Sequence, residues 1–161
     1  MDPGPENAPT TAIASFCKRF AWSLRAAQRS VIVPISPMSH TVLVVEDDLN
    51  LQTLLNVLLS RGGFSVDFAT DGPAGLQKMQ DKEYDAIVLD LLVPSRTGLQ
   101  LLESLTDTRP ELVNRVVVVS GAPPATLEKA RTFPVHAVIR KPFDIFDLMR
   151  TVQSCSAVVC K

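Results

Sequence analysis

The sequence is poor in residues that staple or coordinate. Its three cysteines, Cys17, Cys155 and Cys160, are odd in number and scattered. They have neither a paired framework nor a metal-binding spacing. That excludes a disulfide scaffold, and free thiols in a reducing cytosol are the simplest reading, so a cytoplasmic protein is expected. The two histidines, His40 and His136, stand far from any other candidate ligand and are read as structural. Charge of one sign is lacking too: 16 basic residues face 17 acidic ones, a net charge of −1. This gives no electrostatic case for a nucleic-acid partner. No apolar run approaches the ~18 residues of a membrane span. The first ten residues carry Asp2 and Glu6 but no Lys or Arg, the wrong charge for a secretory leader. Repeats and low-complexity tracts are missing. What is present is 46% hydrophobic and 20% charged residues in a chain of 161, enough for one domain with an ordinary core.

Composition changes near residue 38. Residues 1–37 hold five of the twelve prolines and four basic residues, Lys18, Arg19, Arg25 and Arg29, against two acids. Between the proline clusters runs "TAIASFCKRFAWSLRAAQRSVIV", where Ile13, Phe16, Phe20, Leu24 and Ala27 fall roughly on one helical face. Three readings stay open: a basic amphipathic helix that docks on a partner or a membrane surface, a poorly ordered tail, or an upstream stretch ahead of a true start at Met38. The expected division is an extension over 1–38, a folded domain over 39–156 and a tail over 157–161.

From His40 onward the pattern is regular. "TVLVV" (41–45) reads as a strand. Leu51, Leu54, Leu55, Leu58 and Leu59 follow at helical spacing and stop at Gly62-Gly63. "FSVDFA" (64–69) alternates as a strand with one wetter face. "DGPAGLQKMQ" opens a second helix, with Pro73 where a first turn tolerates it. "AIVL" (86–89) is a third strand, followed by a helix from Gly98 to Asp107 that buries Leu101, Leu102 and Leu105. "VVVV" (116–119) is a fourth strand, then comes a short helix after Pro123-Pro124. "HAVI" (136–139) is a fifth strand. A last helix starts near Asp144 and buries Ile145, Leu148, Met149 and Val152. Strands alternating with helices predict an α/β doubly wound parallel sheet. The first, third and fourth strands are continuous apolar runs, as burial on both faces requires. The second alternates, as an edge should. The flavodoxin-like order 2-1-3-4-5, with helices on both faces, satisfies these demands.

In such sheets ligands bind outside the carboxyl ends of the strands. The first strand runs into "VVEDD", where Glu46, Asp47 and Asp48 follow one another. Asp90 follows the third strand, Ser120 the fourth and Lys141 the fifth. Each alone could be nothing more than the polar end of a strand. Together they place carboxylates, a hydroxyl and an amine along one sheet edge. Carboxylates held close in a desolvated site need a cation to stay ionised. Hard oxygen donors without imidazole or thiolate point to Mg2+. Lys141 and Ser120 suit a phosphate, and Asp90 between them is the natural nucleophile for a phosphoryl group.

These pieces resemble the receiver domain of bacterial two-component response regulators. The resemblance rests on the acid pair in "VVEDD", on "LDLLVPSRTG" with Pro94 and Gly98, on "VVVVSG" and on "RKPF", and it covers residues 41 to about 153. It implies that Asp90 accepts phosphate from a histidine kinase or phosphotransfer protein. It implies that Glu46, Asp47, Asp90 and the backbone carbonyl of Leu92 hold Mg2+, that Ser120 and Lys141 bind the phosphoryl oxygens, and that Asp48 is an extra acid. Beyond its own phosphorylation and dephosphorylation, no enzyme activity is implied. The pattern departs in two places. The family's switch aromatic, three residues before the lysine, is Val138 here, and the acid pair begins with Glu46, which lengthens its reach. In receivers that lose phosphate fast, polar side chains two positions after the aspartate and after the hydroxyl residue help place water; here they are Leu92 and Ala122. Arg96, in the loop after Asp90, is read as solvated. No stretch is left for an output domain, so a stand-alone receiver acting on a downstream protein target is expected. Two alternatives remain: a degenerate receiver that binds proteins without phosphorylation, kept open by Val138, and an aspartate-nucleophile phosphatase of the haloacid dehalogenase type, weakened because its second acid would fall at Leu92.

Overall fold

The computed structural model describes residues 40–95 and 97–158. The readings for the N-terminal extension, Cys160 and Arg96 lie outside the described residues. Five strands alternate with helices: β1 (Thr41–Val45), α1 (Leu49–Arg61), β2 (Ser65–Ala69), α2 (Gly72–Asp81), β3 (Ala86–Leu89), α3 (Gly98–Thr108), a one-turn α4 (Pro110–Val113), β4 (Val116–Ser120), α5 (Pro124–Arg131), β5 (Ala137–Arg140) and α6 (Ile145–Val158). The strands form one parallel sheet in the order β2-β1-β3-β4-β5. This is the expected doubly wound architecture, and α6 runs past the expected domain end at 156.

Burial explains the order. Every residue of β3 and β4 is buried, and β1 is exposed only in part at Thr41; β2 and β5, on the edges, are mostly half-buried. Successive residues of a strand point to opposite faces. Leu43, Val45, Ile87, Leu89, Val116 and Val118 therefore pack with Met79, Leu101, Leu102, Leu105 and Leu127 on the face covered by α2, α3 and α5. Val42, Val44, Val88, Val117 and Val119 pack with Leu55, Leu59, Leu148 and Val152 on the face covered by α1 and α6.

The leucine stripe of α1 is wider than the face that meets the sheet. Leu55 and Leu59 are buried, Leu51 and Leu58 half-buried, but Leu54 is 46% exposed. At the start of α6, Ile145 and Met149 are likewise only half-buried, beside the fully packed Leu148 and Val152. The unforeseen α4 is too short to show a period; it buries Leu112 and Val113 and starts at Pro110. On the outer strand, the polar face read in "FSVDFA" is tied down at Asp67, which accepts from the Tyr84 hydroxyl at 2.8 Å and the Lys82 ammonium at 2.9 Å. These contacts hold Asp67 below the usual carboxylate range.

Gly98 opens α3 against the backbone that carries Asp90. Its amide donates to the Leu91 carbonyl at 3.1 Å. A Cβ here would lie 2.7 Å from the Asp90 carbonyl oxygen and 2.7 Å from the Leu91 Cα. Neither atom can move without moving the chain beneath the helix. We expect Gly98→Ala to destabilise the domain by about 1–3 kcal/mol, the usual cost of overpacking. Thermal unfolding should show this as a drop of several degrees; an unchanged transition would mean that α3 slides freely over this turn.

Candidate functional site

The hydrogen-bond ladder continues one residue past several strands and so fixes where the polar side chains begin. The Glu46 amide donates to the Ala69 carbonyl and the Asp90 amide to the Val45 carbonyl, both at 3.0 Å; the Lys141 amide donates to the Ser120 carbonyl at 2.9 Å. Four chain segments far apart in sequence thereby deliver Glu46, Asp90, Ser120 and Lys141 to the carboxyl edge of β1, β3, β4 and β5.

Asp90 is the centre of the group. It is 5% exposed, and both its oxygens are occupied. Oδ1 accepts from the Ser120 hydroxyl at 2.6 Å and from the Leu92 amide at 2.9 Å. Oδ2 accepts from the Lys141 ammonium at 2.7 Å. The same ammonium donates to Glu46 Oε2 at 2.7 Å. Ser120 is fully buried, and its oxygen accepts from the Ala122 amide at 3.2 Å. Among the described residues no buried side-chain nitrogen or oxygen lacks a partner.

One ammonium serves two buried carboxylates, leaving a surplus negative charge. Burial pushes the Glu46 carboxyl above its ordinary pKa. The bond and the attraction to Lys141 pull it back, the charge of Asp90 raises it further, and the net shift is upward. For Lys141 the balance differs. Burial opposes its charge, but bonds to Asp90 and Glu46 outweigh burial and raise its pKa. A surplus negative charge on hard oxygens suits a cation such as Mg2+, which takes one or two carboxylates and keeps several waters.

The expected acid set is not gathered as a unit. Asp47 is exposed, and among the described residues no group of three or more His, Cys, Asp or Glu side chains is arranged to hold a metal ion. The structure joins Glu46 and Asp90 through Lys141 instead. Asp48 serves the helix that follows it. Its carboxylate caps α1, accepting from the Asn50 amide at 2.8 Å and the Leu51 amide at 3.3 Å. Gln52 carries no motif in the sequence, yet its side-chain amide donates to the Glu46 carbonyl at 2.6 Å. Its position one turn into α1, six residues after the acid, is the only signal that points to it. Leu92 is 57% exposed and Ala122 is buried. Val138 is half-buried against the α3 side of the core. His40 lies 3.7 Å from Asp85, at the opposite end of β1 from the site.

The family model of the response regulator receiver domain matches residues 42–153. Response regulator ArlR from Staphylococcus epidermidis is 31% identical over 115 residues, which cover 70% of this chain and 51% of that protein. The chain thus spans about half the length of the curated relatives it matches. A response regulator receiver domain (CheY-like) from Methylobacillus flagellatus aligns with a TM-score of 0.64 and 30% identity, covering 73% of this chain and 98% of that one. The receiver domain of sensor histidine kinase PA1611 from Pseudomonas aeruginosa PAO1 shares the fold, with a TM-score of 0.67 at 22% identity over 74% of this chain and 98% of that one. That structure has a magnesium ion coordinated in its active site cleft.

The raised pKa of Glu46 has a consequence for stability. A carboxyl whose pKa is higher in the folded state favours folding below its unfolded value, about 4.3. That contribution is lost as the pH rises through the folded value. At pH 7.5 in the presence of a chelator, Glu46→Gln, which keeps an acceptor for Lys141 but carries no charge, is expected to melt no lower than wild type and up to a few degrees higher. Below pH 4 the advantage should vanish. A drop of several degrees at pH 7.5 would show that the Lys141 bond more than offsets the burial of this charge.

Proposed function

The chain belongs to the response regulator receiver domain family, and from that premise we propose that Asp90 is the phosphoacceptor of a two-component phosphorelay. The observation that carries this reading is the environment of Asp90: a buried carboxylate with a hydroxyl on one oxygen and an ammonium on the other. In the transfer, an Asp90 oxygen forms a bond to phosphorus as the bond from phosphorus to the nitrogen of a phosphohistidine breaks, and the imidazole leaves. Ser120 and Lys141, already beside the carboxylate, are placed to donate to the phosphoryl oxygens. Glu46, Asp47 and Asp90, with the backbone carbonyl of Leu92, would hold Mg2+. When bound, the ion offsets the negative charge that the phosphoryl group adds.

The donor of the phosphoryl group is then a histidine kinase or phosphotransfer protein, and the output is contact with a downstream protein. Leu49, Leu92 and Phe146 are 68%, 57% and 73% exposed. They sit at the starts of α1 and α6 and in the loop after β3, on the sheet edge that carries Asp90, and supply apolar surface beside it for such contacts. The reading extends to a cytoplasmic receiver domain over residues 39–156 that signals through protein contacts. It includes no enzyme activity beyond the domain's own phosphorylation chemistry. Val138 makes the readout different from that of a receiver with a ring at this position.

Two outcomes test the reading. Incubated with a small-molecule phosphodonor and Mg2+, wild type should gain one phosphoryl group by mass, removable by hydroxylamine as an acyl phosphate requires. Asp90→Asn should gain none. Stable modification of Ser120, or full labelling of the variant, would sink the assignment.

The second outcome is lifetime. Hydrolysis needs a water in line with the bond from Asp90 to phosphorus, and an ordered water needs polar partners. The side chains of Leu92 and Ala122 have none to give. Slow self-dephosphorylation is expected, with the signal ended by back-transfer or a separate phosphatase. Leu92→Asn, at an exposed position that tolerates the change, should shorten the lifetime severalfold. Decay of the wild type within seconds would overturn this expectation.

A further inference from the structure

The first acid of this site is a glutamate, one methylene longer than an aspartate, and its carboxylate meets Lys141. Glu46 is buried at the end of β1, its backbone fixed on one side by Ala69 and on the other by the Gln52 side chain. From that anchored backbone its Oε2 reaches the Lys141 ammonium at 2.7 Å, while Lys141 keeps its 2.7 Å bond to Asp90. The ammonium thus sits between the two buried carboxylates that a divalent cation would need. Among the described residues no other cationic side chain pairs with either of them.

We propose that the length of Glu46 makes Lys141 the resident cation of the metal-free site, so that Mg2+ binds only by displacing the ammonium from Glu46. This rests on the reading of Glu46 and Asp90 as metal ligands. Before the ion enters, Lys141 neutralises part of the buried charge, and among the described residues every buried polar side chain is paired. The attraction between Lys141 and Glu46 must then be given up, which weakens the apparent affinity for the ion. Loss of that contact leaves one of the ammonium donors unengaged, beside the oxygen that is to carry the phosphoryl group. Metal loading and readiness of the lysine become one event. Glu46 is in this sense a specificity-determining residue: its length sets how strongly the protein's own cation competes with the one from solution.

Substitution by aspartate isolates the length, because it keeps the charge and withdraws the carboxylate by one methylene. Mg2+ affinity measured by isothermal titration calorimetry, at constant pH and ionic strength, should be tighter by about three- to tenfold in Glu46→Asp than in wild type. Melting in chelator should fall for the same variant, because the bond to Lys141 is lost. Lys141→Met, a chain of similar length without charge, should also tighten Mg2+. If it unfolds in chelator, the same titration is run on protein refolded in Mg2+ and dialysed stepwise. In wild type, titration with Mg2+ should shift the Lys141 ε-methylene resonances of selectively labelled protein. Equal or weaker Mg2+ binding by both variants, with unmoved Lys141 resonances in a wild type that does bind Mg2+, would overturn the proposal and leave the metal site standing. Absence of Mg2+ binding in wild type would instead remove the metal site itself, and unchanged binding in Glu46→Gln would remove Glu46 from its ligands; either result takes the proposal with it.

Discussion

Two buried carboxylates share one ammonium, and much of the structure serves to keep them there. Glu46 and Asp90 repel each other, and taking either out of water is costly. Lys141 bonds both, and Ser120 and the Leu92 amide take up the other Asp90 oxygen. The residues that meet lie 95 and 51 positions apart in the chain. Only a sheet with β1, β3, β4 and β5 in adjacent register brings them together. The apolar runs of those strands, buried against helices on both faces, supply the driving force that offsets the cost of the polar edge.

The surrounding turns hold the polar edge in place. Asp48 caps α1, so its charge goes into the helix start rather than into the buried site. Gln52 reaches back to the Glu46 carbonyl and ties the same loop from the other side. Gly98 lets α3 begin in contact with the Asp90 backbone. Asp47 lies between these restraints and faces solvent. The site therefore combines a rigid, fully paired interior with one carboxylate left in water. Such a site is suited to a ligand that arrives hydrated.

Local pattern carries most of the fold. "AIVL" has unambiguous bounds because four apolar residues flanked by polar ones allow little else. The strand order follows from which runs are continuous and which alternate, a direct consequence of covering one face or two. The candidate site side chains are legible because strand ends are marked by a change from apolar to polar residues. What escapes the sequence is anything set by angle or distance. Leu54 belongs to the helical stripe by spacing, yet points past the edge of the sheet-facing surface. The turn at 110–113 is shorter than the period needed to detect it. The Glu46–Lys141 contact joins residues 95 positions apart, and no motif shows it. The acid cluster reads in sequence as three like residues, whereas the structure gives each a separate role: Glu46 bonds the lysine, Asp47 meets solvent and Asp48 caps a helix.

Val138 decides how a change at this edge can reach the rest of the domain. It pairs with Val118 in the β4–β5 ladder, two residues before the level at which Ser120 faces Arg140. The carbonyl of Ser120 receives the Lys141 amide, while its hydroxyl donates to Asp90. Ser120 and Lys141 are thus joined twice, through the backbone and through the carboxylate they both bond. Valine has no ring to swing into a vacated space, and a β-branched side chain in a strand has few rotamers to exchange. A phosphoryl group on Asp90, as proposed, would pull on the Ser120 hydroxyl and the Lys141 ammonium together. Such a pull would act on the adjoining ends of β4 and β5, which Ser120 and Lys141 join. The edge position of β5, half-buried and hydrogen-bonded to β4 alone, leaves that strand the freedom to move.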